Sequence, residues 1–145
     1  MHSDIKQSIL AKIPHRKPFR FIDTIEEISD CHIIGTCYLN EGLSCYEGHF
    51  PGTSLTPGFI VTEAMAQVGI LGLGIYLSLD KVDCIQHAFL TTADVKFHKA
   101  SFAGDTITVD SRLIYFRLGK LQCSIKAYNQ RQELICSGTF SGMIR

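Results

Sequence analysis

The stretch from Pro57 to Leu79 reads as a long helix that is apolar nearly all the way round. No other feature constrains the fold as strongly. At 1.5 Å per residue the helix would be about 33 Å long. Phe59, Ile60, Val61, Met65, Val68, Ile70, Leu71, Leu73, Ile75, Tyr76 and Leu77 leave it no broad polar face. Such a helix must be wrapped by other structure rather than laid on a surface. Gly69, Gly72 and Gly74 each lower its intrinsic stability by about 1 kcal/mol relative to alanine. Their presence predicts close approach by a sheet or by a second chain.

The rest of the chain supplies the wrapping. Asp4 to Ile13 has helical spacing and stops at Pro14. Phe21–Ile28 and His32–Leu39 read as strands joined at Ser29-Asp30, and Leu43–Glu47 as a turn or a short helix. After Asp80-Lys81-Val82-Asp83 the chain is strand to its end. Ile85–Lys99 is one strand, bent near Thr91-Thr92. Thr106–Arg117, Leu121–Asn129 and Glu133–Ile144 follow, separated by turns at Ala103-Gly104-Asp105, Leu118-Gly119-Lys120 and Asn129–Gln132. About six antiparallel strands around one long helix define an α+β fold. The length of 145 residues makes residues 1–145 a single domain. One helix covers only part of such a sheet, so a dimer of two copies is expected to cover the remainder.

Composition narrows the function. The formal net charge is +0, which argues against a general nucleic-acid role. The six cysteines form no Cys-x-x-Cys pair, which argues against a cysteine-based zinc site. No uninterrupted apolar run reaches the roughly 18 residues of a membrane span, and the first residues lack a signal pattern. A soluble chain with reduced cysteines in the cytoplasm is the expectation.

The chemistry concentrates where a loop runs into the helix: Gly48-His49-Phe50-Pro51-Gly52-Thr53-Ser54-Leu55-Thr56-Pro57-Gly58, then Phe59 to Gln67. Two prolines and the glycines fix the path of this loop. His49 is therefore held at a set angle, and imidazole suits a general base near neutral pH. Glu63 has Phe59, Ile60, Ala66 and Gln67 as its helical neighbours. A carboxyl group on so apolar a surface is costly unless it has a partner or a task. Gly58 opens the first helical turn, whose free N–H groups can bind a developing oxyanion, with no side chain to bar a carbonyl. A base, a carboxyl group and an N–H donor suit proton abstraction beside a carbonyl.

Gly48-His49-Phe50-Pro51-Gly52-x-x-x-x-Pro57-Gly58 followed by Glu63-Ala64-Met65-Ala66-Gln67 resembles the signature of the FabZ-type (3R)-hydroxyacyl-acyl-carrier-protein dehydratases. Ile13-Pro14-His15-Arg16-x-Pro18-Phe19 with Asp23, Asn40-Glu41, and Val95-Lys96-Phe97 with Gly104-Asp105 resemble further segments of that family. The resemblance implies a hot-dog fold and a dimer, or a trimer of dimers, with His49 of one chain facing Glu63 of the other. By the same resemblance His49 takes the C2 proton of a 3-hydroxyacyl thioester and Glu63 helps the C3 hydroxyl leave. Leu55 orients His49 through its carbonyl, Gly58 binds the thioester oxygen, and Gln67 supports the carboxyl group. Phe50 and Phe59 are expected at the substrate. The product is a trans-2-enoyl thioester, and neither cofactor nor metal is required.

An acyl carrier protein bearing the chain on phosphopantetheine is the expected partner, met by Arg16, Lys17, Arg20, Lys96 and Lys99. Ser54, Thr56 and the run His98–Ala103 depart from the family pattern and bear on chain length and pathway, including specialised polyene synthesis. Glu63, where the FabA type has Asp, favours the FabZ type over that double-bond-isomerising relative. The competing readings are a hot-dog thioesterase, a CoA-dependent enoyl hydratase and a non-catalytic acyl-chain-binding subunit.

Overall fold

The computed structural model describes residues 2–79 and 87–144. The loop expected at Asp80–Asp83 and the start of the strand expected at Ile85 lie outside those residues. The first helix, α1, spans His2–Lys12 and stops ahead of Pro14. Strands β1 (Thr24–Ser29) and β2 (His32–Tyr38) form a hairpin. A single helical turn, α2 (Cys45–Gly48), leads into the His49 loop. The long helix, α3, runs from Gly58 to Leu77. Strands β3 (Ala88–Phe97), β4 (Thr106–Arg117), β5 (Lys120–Tyr128) and β6 (Leu134–Ile144) complete the domain.

The six strands form one sheet in the order β1-β2-β4-β5-β6-β3, antiparallel throughout. Alternation explains which face is inside. In β5, Leu121, Cys123, Ile125 and Ala127 are all fully buried, while the residues between them face outward. The two-residue turn between β4 and β5 has positive φ at both Leu118 (51°) and Gly119 (79°). That geometry matches the twist of a hairpin. The bend expected near Thr91-Thr92 is a register shift in the β3–β6 pairing between Leu90 and Thr92.

The sheet curls round α3, whose Met65, Val68 and Leu73 are fully buried in one core with Ile33, Ile107, Ile125 and Phe140. The helical glycines are where the sheet comes closest. A Cβ at Gly74 would collide with the Ile144 side chain, and one at Gly69 would overlap Ile125 and lie 3.0 Å from Ser111 Cβ. The long helix expected over Pro57–Leu79 runs from Gly58 to Leu77 and is not α-helical throughout. Gly58–Ala66 is α-helical, Gln67–Gly72 forms a π-turn, and Leu73–Leu77 is α-helical again. Ser111 Oγ on β4 donates to the carbonyl of Gly69 within the π-turn, at 3.1 Å.

One expectation needs correction. The 20 residues of α3 have a mean hydropathy of 1.6, which makes the helix long and apolar enough to cross a membrane by length and composition. An uninterrupted apolar run does not reveal this, because Thr62, Glu63 and Gln67 break the run while the mean stays strongly apolar. Some 78% of the apolar window is buried inside the domain. The sheet has already taken up the surface that a bilayer would need.

Candidate active site

The loop before α3 is built to hold His49 still. Its backbone N–H donates to Cys45 O at the end of α2, at 3.0 Å. Phe50 has φ of 58° and Gly52 of 90°, and both the N–H and the hydroxyl of Thr53 donate to Phe50 O. The far limb is stitched to the segment before β4. Thr56 N–H donates to Ser101 O, Ala103 N–H donates to Ser54 O, and Leu55 bridges Phe102. Buried Tyr46 and Thr56 pair their hydroxyls at 2.7 Å beneath the loop. His49 Nδ1 lies 3.0 Å from Leu55 O. A carbonyl only accepts, so Nδ1 carries the proton and Nε2 is left as the basic nitrogen. The Phe50 ring lies against the imidazole, with centroids 4.4 Å apart.

Gly58 begins α3 directly after Pro57, which offers no side-chain cap. In this first turn the Ile60 N–H donates to Pro57 O at 3.0 Å, which leaves the N–H groups of Gly58 and Phe59 for a ligand. The Phe97 ring covers the glycine, and a Cβ there would sit 2.9 Å from its edge. His49, Leu55, Gly58 and Phe97 line one hollow of about 470 Å³, with Phe50 and Lys99 at its border.

Glu63 and Gln67 are elsewhere. They line a second cavity, of about 220 Å³, with His15, Ile70, Leu71 and Phe89. Gln67 is buried and spends every polar atom. Its Oε1 accepts from the N–H groups of Phe21 and Ile22, and its Nε2 donates to Phe19 O and, at 3.1 Å, to Glu63 Oε1. One side chain thus fixes the strand-entry segment against α3 and orients the carboxyl group. Within one chain, then, the structure gathers His49, Leu55 and Gly58 in one place and Glu63 with Gln67 in another. Phe59, 69% exposed, borders neither cavity.

The basic residues differ in what they bond. Arg16 Nη1 donates to the carbonyls of Ile13, Pro14 and His15, and Arg20 Nη2 to that of Leu10. Both guanidinium groups therefore tie down the end of α1. Lys99 pairs with Glu133 at 2.5 Å. The Lys99 ammonium, with Asn129 and Arg131, holds the Glu133 carboxyl down to about 2. Lys17 lines a hollow with Arg20, Asp23 and Tyr38, and Lys96 is exposed on β3. Among the described residues no group of three His, Cys, Asp or Glu side chains is placed to hold a metal.

Sequence reasoning gave His15 no role of its own. It lies in the basic segment, yet the structure puts its Nε2 3.6 Å from Glu63 Oε1. Only its place in the Ile13-Pro14-His15-Arg16 motif signalled it.

A six-stranded antiparallel sheet curled round one buried helix, with a histidine loop feeding that helix, defines a hot-dog domain of the dehydratase kind. The chain belongs to the FabA-like domain family, which matches residues 13–136. It is 34% identical over 136 residues to the 3-hydroxyacyl-[acyl-carrier-protein] dehydratase FabZ of Caldicellulosiruptor saccharolyticus, covering 90% of this chain and 91% of that one. It is 36% identical over 102 residues to the bifunctional enzyme LpxC/FabZ of Porphyromonas gingivalis, covering 70% of this chain and only 22% of that larger protein. Among solved structures, the dehydratase heterocomplex ApeI:P from Xenorhabdus doucetiae superposes with a TM-score of 0.79 at 16% identity, covering 94% of this chain and 90% of that one. A hypothetical thioesterase from Streptococcus pneumoniae with coenzyme A has a TM-score of 0.63 at 15% identity, covering 100% and 97%. At those identities the two structures are alike in fold alone.

Proposed function

We propose that the protein dehydrates (3R)-3-hydroxyacyl chains carried on an acyl carrier protein to trans-2-enoyl chains, in fatty acid or related polyene or polyketide synthesis. The observation that carries this reading is the His49 ring, with Nδ1–H held by Leu55 O and Nε2 left basic beside the open N-terminus of α3. His49 Nε2 takes the C2 proton, and the C2–H electron pair becomes the C2–C3 double bond. The C3–O bond breaks, and Glu63 gives its proton to the departing hydroxyl, which leaves as water. The N–H of Gly58 binds the thioester oxygen while it carries negative charge. Free thiols at Cys31, Cys37, Cys45, Cys123 and Cys136 suit a cytoplasmic setting.

The active unit in this reading is a dimer, because the parts in one chain lie in two cavities. Strand β3 is a sheet edge and largely exposed. Its ends carry the two cavities: Phe97 lines the His49 hollow, and Ala88, Phe89 and Leu90 line the Glu63 cavity. Antiparallel pairing of two β3 edges about a twofold axis sets the Phe97 end of one against the Ala88 end of the other. That operation brings the histidine hollow of each chain to the carboxyl cavity of its mate. It also covers Phe89 and Phe97, each 52% exposed in the single chain, and pairs an edge otherwise open to aggregation.

The reading is tested by incubating the protein with 3-hydroxyacyl and 2-enoyl thioesters of acyl carrier protein, following the enoyl absorbance and free thiol together. The expected result is interconversion of the two thioesters without thiol release. Thiol release without interconversion would make the protein a thioesterase, and neither would make it a binding subunit.

A further inference from the structure

We propose that His15 is a positioning residue for Glu63, donating from Nε2 to Oε1 so that Oε2 is the oxygen that carries the transferable proton. The proposal rests on the dehydratase reading and deepens it. The His15 and Glu63 side chains meet across 48 residues of sequence, with Nε2 3.6 Å from Oε1. A closure of a few tenths of an ångström brings that contact to hydrogen-bond length. Catalytic contacts often tighten in this way when substrate or a second subunit completes a site.

The tautomer follows from burial. His15 Nδ1 is shut off from solvent and has no hydrogen-bond partner. A proton there would be a buried donor with nothing to bind, which is costly. The ring proton therefore sits on Nε2, the nitrogen that faces the carboxyl group. Gln67 Nε2 donates to the same oxygen, Oε1, at 3.1 Å. Two N–H donors on Oε1 make it the acceptor oxygen of the acid. The acidic hydrogen is left to Oε2, which no protein donor contacts among the described residues. A neutral His15 does this without setting a full positive charge beside a group that must keep its proton until the hydroxyl leaves.

The local structure keeps His15 where this requires. Arg16 ties the carbonyls of Ile13, Pro14 and His15 together, and Gln67 clamps Phe19, Phe21 and Ile22 to α3. The imidazole is thus mounted between two fixed segments, on the wall of the cavity that holds Glu63.

Two substitutions in the full-length protein test this. His15→Leu keeps the bulk and removes the donor. His15→Gln restores an N–H donor at a similar reach. The expected result is a kcat about 10- to 100-fold lower for His15→Leu with KM unchanged within about 2-fold, and recovery to within about 5-fold of wild type for His15→Gln. Equal kcat in the two variants, or a loss seen only in KM, overturns the proposal. Ring nitrogen NMR on the unmodified protein gives a reading that depends on neither variant folding: a proton on Nε2 of His15 supports the proposal, and one on Nδ1 overturns it. Wild-type protein that fails to dehydrate any 3-hydroxyacyl thioester overturns the dehydratase reading and this inference with it. Active wild type with an indifferent His15→Leu overturns this inference alone.

Discussion

His49→Ala is expected to lower kcat for dehydration by about 10³-fold or more, because general-base catalysis of this kind contributes roughly 10² to 10⁴. KM should move little, since in the proposed mechanism the helix N-terminus and the apolar walls, rather than the imidazole, bind the thioester. His98 borders the same hollow, but its Nε2 is engaged with Ser137 Oγ at 2.8 Å. The loop should survive the change, because its bonds to Cys45, Ser101 and Phe102 are made by backbone atoms or by other side chains. Steady-state kinetics with a melting curve check both halves of this expectation. A kcat within 10-fold of wild type would remove His49 from the mechanism.

Glu63→Gln is expected to cost about 10² to 10³ in kcat, the range for losing a positioned general acid. The new amide can still accept from Gln67 Nε2 through its oxygen, so the contact that orients the group is kept while the acidic proton is lost. Folding should be unharmed, for the substitution exchanges an ionisable group on an apolar helix for a neutral one of the same shape. Loss of kcat with unchanged melting temperature is the expected pair of results. Loss of both would mean that Glu63 acts through structure and not through its proton.

Much of the fold was legible because its signals are local. Thr106–Arg117 is a strand over the whole span that its alternation marks, and the turn at Leu118-Gly119-Lys120 falls where a tight hairpin was expected. The close approach foreseen from the helical glycines is real at Gly69 and Gly74. The π-turn at Gln67–Gly72 was not legible, since the partner of its Gly69 carbonyl is Ser111, 42 residues away. Charge was legible as composition but not as direction. Arg16 and Arg20 read as cations for a carrier protein, yet the guanidinium groups of both bond carbonyls at or just past the end of α1, which a linear reading treats as a separate element. The candidate site divides in the same way. The His49 loop declares itself through its prolines and glycines, all within a dozen residues. The meeting of His15 with Glu63 depends on how the segment after α1 folds back on α3, and no spacing encodes it.

The central claim is that each active site draws His49 from one chain and Glu63 from another, and a mixing experiment tests it most directly. The His49→Ala and Glu63→Gln chains, each nearly inactive alone, are unfolded together in equal amounts and refolded. Random pairing makes half of the dimers mixed, and each mixed dimer has one site with both groups intact. The account predicts recovery to about one quarter of wild-type turnover. If both groups of a site came from a single chain, no pairing would restore them, and activity no higher than that of the separate variants would contradict the account.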